Sequence, residues 1–202
     1  MFSLKKCIEP GCNAFTFDGH DYCFHHSENK EKLYSETVRI LTRSREFRNI
    51  SIVAAPFRNL KVKKNMKIIG SNFSFGVFEN CIFDSVSLYS VFFDYCVFRS
   101  CVFRNCDIRY AIFSGSSFTD TVISNSNAIY SNFMGINAED CDFSLNDFYY
   151  TNFSLSKLVD TSLDDCNLKR TSFRSCITKG VTFRYSNPEE AFFRKEEPYT
   201  IM

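Results

Sequence analysis

The chain has no tryptophan, only three histidines and only 7 glycines in 202 residues. Each scarcity removes a class of function. His20, His25 and His26 all fall in one short N-terminal stretch, so no histidine elsewhere can act as a general base. The glycines never gather into a loop that could cradle a phosphate. No nucleophile–base pattern stands out, and the chain is not expected to be an enzyme. No apolar run reaches the length of a membrane-spanning helix, so no membrane contact is expected. The opening Met1-Phe2-Ser3-Leu4-Lys5-Lys6 lacks the apolar stretch of a signal peptide, which leads us to expect a cytosolic protein. Net charge is also nearly absent: 24 Lys and Arg against 23 Asp and Glu.

What the chain has in excess is phenylalanine, 24 in all, and it is spaced. From Ser71 to Tyr185 the sequence counts in fives without a break, over 23 blocks such as Ser71-Asn72-Phe73-Ser74-Phe75. The third position is Phe in 14 of the blocks, and elsewhere mostly Leu, Ile or Ala. Only Thr178 is polar there. The first position is mostly small. Neither the helical period of 3.6 nor the strand period of 2 fits. A fixed short repeat signals a solenoid, in which each unit buries its apolar face against its neighbours. A second period sits on the first. Phe73, Phe93, Phe113, Phe133, Phe153, Phe173 and Phe193 lie 20 residues apart, so one turn should have four sides.

The blocks resemble those of the pentapeptide-repeat family, which read roughly A(D/N)LXX with the central residue and the small residue before it pointing inward. Ala111-Ile112-Phe113, Ser131-Asn132-Phe133 and Thr151-Asn152-Phe153 carry the resemblance. It implies an all-β solenoid, a right-handed four-sided parallel β-helix. It implies little about function, because the fold hosts unrelated roles. The best-known activity in the family is protection or inhibition of type II topoisomerases such as DNA gyrase, by members that resemble duplex DNA. DNA carries about one charge per 1.7 Å of axis. A solenoid rising about 4.8 Å per turn would then need roughly three acids per turn. Residues 71–185 hold 12 acids against 9 bases, and Arg99, Arg104, Arg109, Arg174 and Arg184 interrupt any acidic field. A DNA-mimic regulator of gyrase is therefore the alternative reading, and a non-enzymatic scaffold for protein–protein interaction the preferred one.

Ten cysteines could suggest a secreted disulfide framework. Seven of them, Cys81, Cys96, Cys101, Cys106, Cys141, Cys166 and Cys176, occupy the first block position, where a small inward residue is needed. They read as reduced packing residues, which suits a reducing compartment. The other three, Cys7, Cys12 and Cys23, stand with His26 as C-x4-C-x10-C-x2-H. Structural zinc takes Cys3His sets from two short knuckles. Pro10-Gly11 lets the chain turn tightly between the first two thiols. His25 is the other candidate for the fourth ligand; the spacing from Cys23 favours His26. The stretch resembles the short treble-clef-like zinc motifs of small bacterial proteins. No acid or base beside it marks an open catalytic position, so the zinc is expected to be structural.

These readings divide the chain into a zinc-binding knuckle over 1–27, a linking and capping helix over 28–49, the repeat solenoid over 50–195 and a tail over 196–202. Ser27 is a candidate N-cap, and Leu33, Thr37, Ile40, Leu41 and Phe47 form a narrow apolar stripe along about five turns of helix. The knuckle and the solenoid are expected to have separate cores. Ile52, Phe57 and Val62 keep the five-residue count, and Ile68 resumes it after one extra residue near Asn65, an irregular first turn with a bulge. Residues 1–70 are basic, 13 Lys and Arg against 7 acids, which reads as a solvated face rather than a nucleic-acid site.

The second, fourth and fifth positions should face outward. Val77, Ile82, Phe92, Val97, Val102, Ile112 and Val122 at second positions would then form an exposed apolar patch. Tyr110, Tyr130 and Tyr150 repeat at 20 residues, flanked by Tyr89, Arg109 and Tyr149. The set reads either as a structural ladder or as a docking strip, since Tyr and Arg dominate binding hot spots. At the far end the apolar Phe192, Tyr199 and Ile201 suggest a homodimer through the C-terminal turn.

Overall fold

In the computed structural model of the protein, residues 5–16 and 20–193 are described. The tail over 196–202, with its Tyr199 and Ile201, lies outside them.

Three-residue strands stack in parallel into a four-sided solenoid. One side is a seven-stranded sheet joining Pro56–Arg58, Val77–Glu79, Val97–Arg99, Ser117–Thr119, Asn137–Glu139, Lys157–Val159 and Ile177–Lys179 in that spatial order. A second side stacks Ile82–Asp84, Val102–Arg104 and Val122–Ser124. The other sides are held by single parallel bridges at the same 20-residue spacing, such as Asp107↔Asn127↔Asp147. In the first turn the partners are 21 apart, as in Glu46↔Lys67 and Pro56↔Val77. The extra residue falls before Asn65, whose φ of +59° follows Asn59 by six residues instead of five.

The backbone explains why the count is five. Every fifth position from Phe75 to Tyr185 has a positive φ, and so does Gly70. A left-handed residue turns the chain by a corner. At Tyr110, Tyr130 and Tyr150 the turn is closed by the next residue's N–H donating to the third-position carbonyl: Ala111 N to Ile108 O at 3.1 Å, Ser131 N to Ala128 O at 3.1 Å, Thr151 N to Phe148 O at 2.8 Å. Positive φ on the third residue of a four-residue turn is the type II arrangement.

The second position is not simply outward. Where it is Asn or Asp outside the strands, its side-chain oxygen accepts the N–H two residues on. Asn132 Oδ1 takes Met134 N–H at 3.0 Å, Asp142 takes Ser144 at 3.0 Å and Asp147 takes Tyr149 at 3.1 Å. This side-chain turn satisfies an amide that the corner leaves without a ladder partner. The apolar second positions do not form the exposed patch expected of them. Val77, Ile82, Phe92, Val97, Val102, Ile112 and Val122 are all half-buried, because each lies against its counterpart one turn away. Apolar side chains exposed at the corners include Phe75, Tyr95, Leu145, Leu155 and Tyr185, and apolar second positions are exposed only toward the far end, at Ile177 and Phe192.

The core is built from columns. Phe73, Phe93, Phe113, Phe133, Phe153, Phe173 and Phe193 stack at centroid distances between 4.7 and 5.4 Å. A second column runs Phe57, Phe78, Phe98, Phe118 at 4.9 to 5.0 Å. First positions are buried beside them and do more than fill space. Ser116 Oγ donates to Phe93 O at 2.6 Å and accepts Cys96 N–H at 2.9 Å. Cysteine thiols donate to the same class of carbonyl: Cys96 to Phe73 O and Cys166 to Phe143 O, both at 3.1 Å. All ten cysteines are free thiols.

The helix α1 spans Lys30–Arg43, shorter than the sequence suggests at both ends. Ser27 is not its N-cap. Ser27 N–H is tied to Cys23 O at 3.0 Å in the turn that presents His26, so the helix starts after Asn29 instead. At the other end Ser44 is extended, and Glu46–Arg48 already pairs with Lys67–Ile69 as part of the solenoid. Leu33, Thr37 and Leu41 are buried against the first turn. The expectation of two separate cores does not hold. Phe24 meets Tyr34 at 6.3 Å, Tyr34 meets Phe57 at 6.0 Å, and Phe24, Leu33 and Leu41 belong to one apolar cluster with the Phe columns. The helix covers the open end of the solenoid, where unpaired strand edges would otherwise recruit other chains.

Candidate metal centre and tyrosine ladder

Two features stand apart from the core. The first is the N-terminal knuckle. Cys7 N–H bonds Ala14 O at 2.9 Å and Thr16 N–H bonds Lys5 O at 2.8 Å, pairing the two arms of a hairpin. Cys12 N–H reaches Glu9 O at 3.0 Å across Pro10-Gly11, with Gly11 at φ +79°. Pro supplies the fixed φ and Gly the left-handed one that such a turn requires. The tight turn brings Cys7 and Cys12 to one side. The turn after Cys23 brings His26 back, with His26 N–H on Cys23 O at 3.2 Å.

The ligand atoms of Cys7, Cys12, Cys23 and His26 all lie within 4.8 Å of one another. His26 Nδ1 is 3.6 Å from Cys7 Sγ and 3.5 Å from Cys23 Sγ. A tetrahedral ion with bonds of about 2.3 Å to sulfur separates its ligand atoms by about 3.7 Å. Three thiols and one imidazole nitrogen at this spacing fit a metal ion. His25 instead sets its ring edge-on to Phe24, 5.9 Å away. Burial works to raise the Cys7 thiol, but hydrogen bonds from the backbone at Cys23 and Glu9 and from His26 outweigh it and hold the pKa at about 6. Cys12 keeps a backbone bond at Ala14 that favours its thiolate, yet burial and the neighbouring Cys7 and Cys23 raise it overall. A cluster with one ready thiolate suits a cation.

The second feature is the tyrosine corner. Tyr110 and Tyr130 stack at 5.5 Å and 10°, and Tyr130 and Tyr150 at 5.2 Å and 23°. Tyr89 meets Tyr110 edge-on at 5.2 Å, and Tyr149 meets Tyr150 edge-on at 4.7 Å. Arg109 lies over the Tyr89 ring at 5.7 Å and is held by both oxygens of Asp107 at 2.7 Å. The six residues singled out from the sequence thus come together on one corner. The sequence reading left out Arg170, which lies over Tyr150 at 5.0 Å and donates to its hydroxyl. Its position, 20 after Tyr150, was the available signal.

The family model for pentapeptide repeats (8 copies) matches residues 81–120 and 101–137. No curated protein matches the chain. Among solved structures, a trypsin-treated variant of QnrB1, titled a plasmid-mediated fluoroquinolone resistance protein, shares 14% identity with a TM-score of 0.39, over 77% of this chain and 87% of that one. Rfr23 from the cyanobacterium Cyanothece 51142 shares 15% at a TM-score of 0.31, over 75% and 99%. HetL from Nostoc sp. strain PCC 7120, titled as involved in heterocyst differentiation regulation, shares 9% at 0.27, over 86% and 100%. These likenesses concern chain architecture and carry nothing about activity. No helix among the described residues is long and apolar enough to cross a membrane. The five-residue count, the 20-residue columns and the family match coincide over residues 81–137, and that stretch is built of pentapeptide repeats.

Proposed function

We propose that the protein is a non-enzymatic cytosolic scaffold that binds a protein partner along the tyrosine corner, with a structural zinc ion in the knuckle. The observation that carries this reading is the conformation of the ladder. Tyr110, Tyr130 and Tyr150 sit at φ between +56° and +59° with exposed rings. An L-residue in that region costs about 1–2 kcal/mol. Stacking returns about 0.5–1.5 kcal/mol per pair. The two are similar in size, so stability alone gives no preference for tyrosine over glycine or asparagine. Exposed, pre-stacked rings with arginines over both ends are the composition of a binding hot spot. Rigid rings also lose little freedom on contact, which favours association.

Zinc rests on the Cys3His donor set. All four tetrahedral positions are supplied by protein, which leaves none for a substrate. When bound, the ion would tie the hairpin of Cys7 and Cys12 to the turn of Cys23 and His26. The C-terminal homodimer remains part of this reading. Phe192 is exposed and the last strand, Ile177–Lys179, has no further strand on it among the described residues.

The test uses purified chain as bait in an extract of its native host. Tyr110→Asn with Tyr130→Asn keeps a residue that tolerates positive φ. The expected result is a partner retained by the wild type and lost with the double variant at unchanged circular dichroism. Equal retention by both would reject the corner as the binding surface.

A further inference from the structure

Where the knuckle meets the first side of the solenoid, the surface folds inward into a cavity of about 760 Å³. Sites for small molecules span roughly 300–1,000 Å³. Phe15 of the knuckle faces Phe75, Phe92 and Tyr95 of the solenoid across it. The Phe75 and Tyr95 rings stack at 5.4 Å and 9°, yet stay 46% and 61% exposed. A stacked aromatic pair left open to solvent at the mouth of a cavity offers apolar surface to a ligand.

Asp94 is the charged residue among the described lining. Its Oδ2 lies 2.8 Å from Ser74 Oγ, and the same hydroxyl lies 2.6 Å from Asn72 Oδ1. A serine hydroxyl has one proton and cannot donate to both oxygens at once. Asn72 Oδ1 also accepts Ser74 N–H at 2.9 Å, so its demand is already met once. The half-buried carboxylate therefore keeps acceptor positions that Ser74 does not fill. Several other half-buried acids of the solenoid are paired, Asp84 with Arg104 and Lys64, Asp107 with Arg109 and Asp164 with Arg184, whereas Asp147 is bonded by Asn167. Asp94 has no ion-pair partner among the described residues.

We propose that this cavity binds a small organic cation with a flat apolar body, an aromatic amine by chemical class. The ammonium meets Asp94 and donates to the acceptor positions that Ser74 leaves open. The body lies against Phe15 and the exposed surface of the Phe75–Tyr95 pair. An aromatic acid of the same shape would bring its carboxylate against Asp94 and be repelled. The site shares no lining residue with the tyrosine corner, and it needs no partner protein.

The experiment is a titration of the ¹⁵N-labelled full chain, followed by amide shifts. The probes are 2-phenylethylamine and tryptamine, with 3-phenylpropionate as the acid and acetyl-Phe-Arg-amide as a peptide-borne cation. The amines should give saturable shifts clustered at residues 72–75 and 92–95, and the acid none there. Asp94→Asn, which keeps the shape, should weaken amine binding about tenfold or more, the size of a lost charged hydrogen bond. Tyr95→Asn, compatible with the corner, should weaken it as well, while Asp84→Asn should not. Saturation by the acid equal to that by the amines, amine binding unchanged in Asp94→Asn, or no saturable shift at these residues with either amine would overturn the proposal. Saturation by the peptide alone would overturn its small-molecule form.

Discussion

Phe133→Ala tests the column directly. Phe133 is fully buried between Phe113 at 4.7 Å and Phe153 at 5.0 Å, with Phe148 edge-on at 6.0 Å. Truncation removes the ring's transfer energy and leaves a void that stacked, register-locked turns cannot close, about 3–5 kcal/mol together. For a chain of this size each kcal/mol lowers the Tm by about 2–4 °C, so the expected drop is roughly 6–20 °C. Phe193→Ala is the comparison, with the same chemistry at the end of the same column. Phe193 stacks on Phe173 at 5.2 Å and is only half-buried. Its loss should lower the Tm by less than half as much. Asn132→Ala, next to Phe133, removes the acceptor for Met134 N–H and should cost about 1 kcal/mol. Thermal unfolding followed by circular dichroism, at low protein concentration, reads all three. Equal losses for Phe133→Ala and Phe193→Ala would refute the stacked-column account, because they would mean that depth in the column is irrelevant.

The purified protein should carry about one zinc per chain by elemental analysis, lost in Cys23→Ser; because Phe24 and α1 share the solenoid's core, that variant should also unfold at lower temperature, and an unchanged Tm would show that the knuckle is uncoupled. Burial pushes the thiols of Cys106, Cys141 and Cys176 up to about 11 and that of Cys166 up to about 12. A thiol reagent at neutral pH should therefore label few of the seven repeat cysteines until the chain is unfolded, and fast native labelling of all seven would contradict the register. Asp84 is held below the ordinary carboxylate range by Asn105, Ser85 and Arg104. A depressed acid stabilises the fold above its unfolded pKa of about 4 and loses that contribution as pH falls through the folded value. Acid denaturation should thus begin at a higher pH in Arg104→Ala than in the wild type; coincident acid midpoints would refute the pairing. Light scattering at high micromolar concentration should show a dimer that a chain ending at Lys195 does not form; a monomer in both would reject C-terminal association.

The repeat made the solenoid legible because a five-residue count cannot be satisfied by helix or flat sheet. The columns followed from arithmetic on Phe73 to Phe193. The roles inside the block were harder to see. Asn132 and Asp147 look like surface residues until the corner's unpaired amides are counted. Ser116 and Cys96 look like small apolar fillers until their donors are traced to carbonyls one turn away. The Cys3His cluster was readable because cysteine and histidine spacing is local, whereas the shared core was not, because Phe24 and Tyr34 reach Phe57 across a distance that sequence patterning does not encode. The groove at Asp94 was missed for the same reason: Phe15 and Tyr95 are 80 residues apart.

A stack of nearly identical layers behaves as a one-dimensional lattice, whose stability is set by the coupling between neighbouring layers and by what happens at its boundaries. Here the boundaries differ. At one end α1 is fused into the lattice through Leu33 and Leu41, so the first layer has a neighbour on both sides. At the other, Ile177, Thr178 and Lys179 are all exposed. Fraying therefore has a direction. Layers should be lost one after another from the Phe193 end, with amide exchange slowing steadily toward Phe73, and the knuckle should be the last region to feel it.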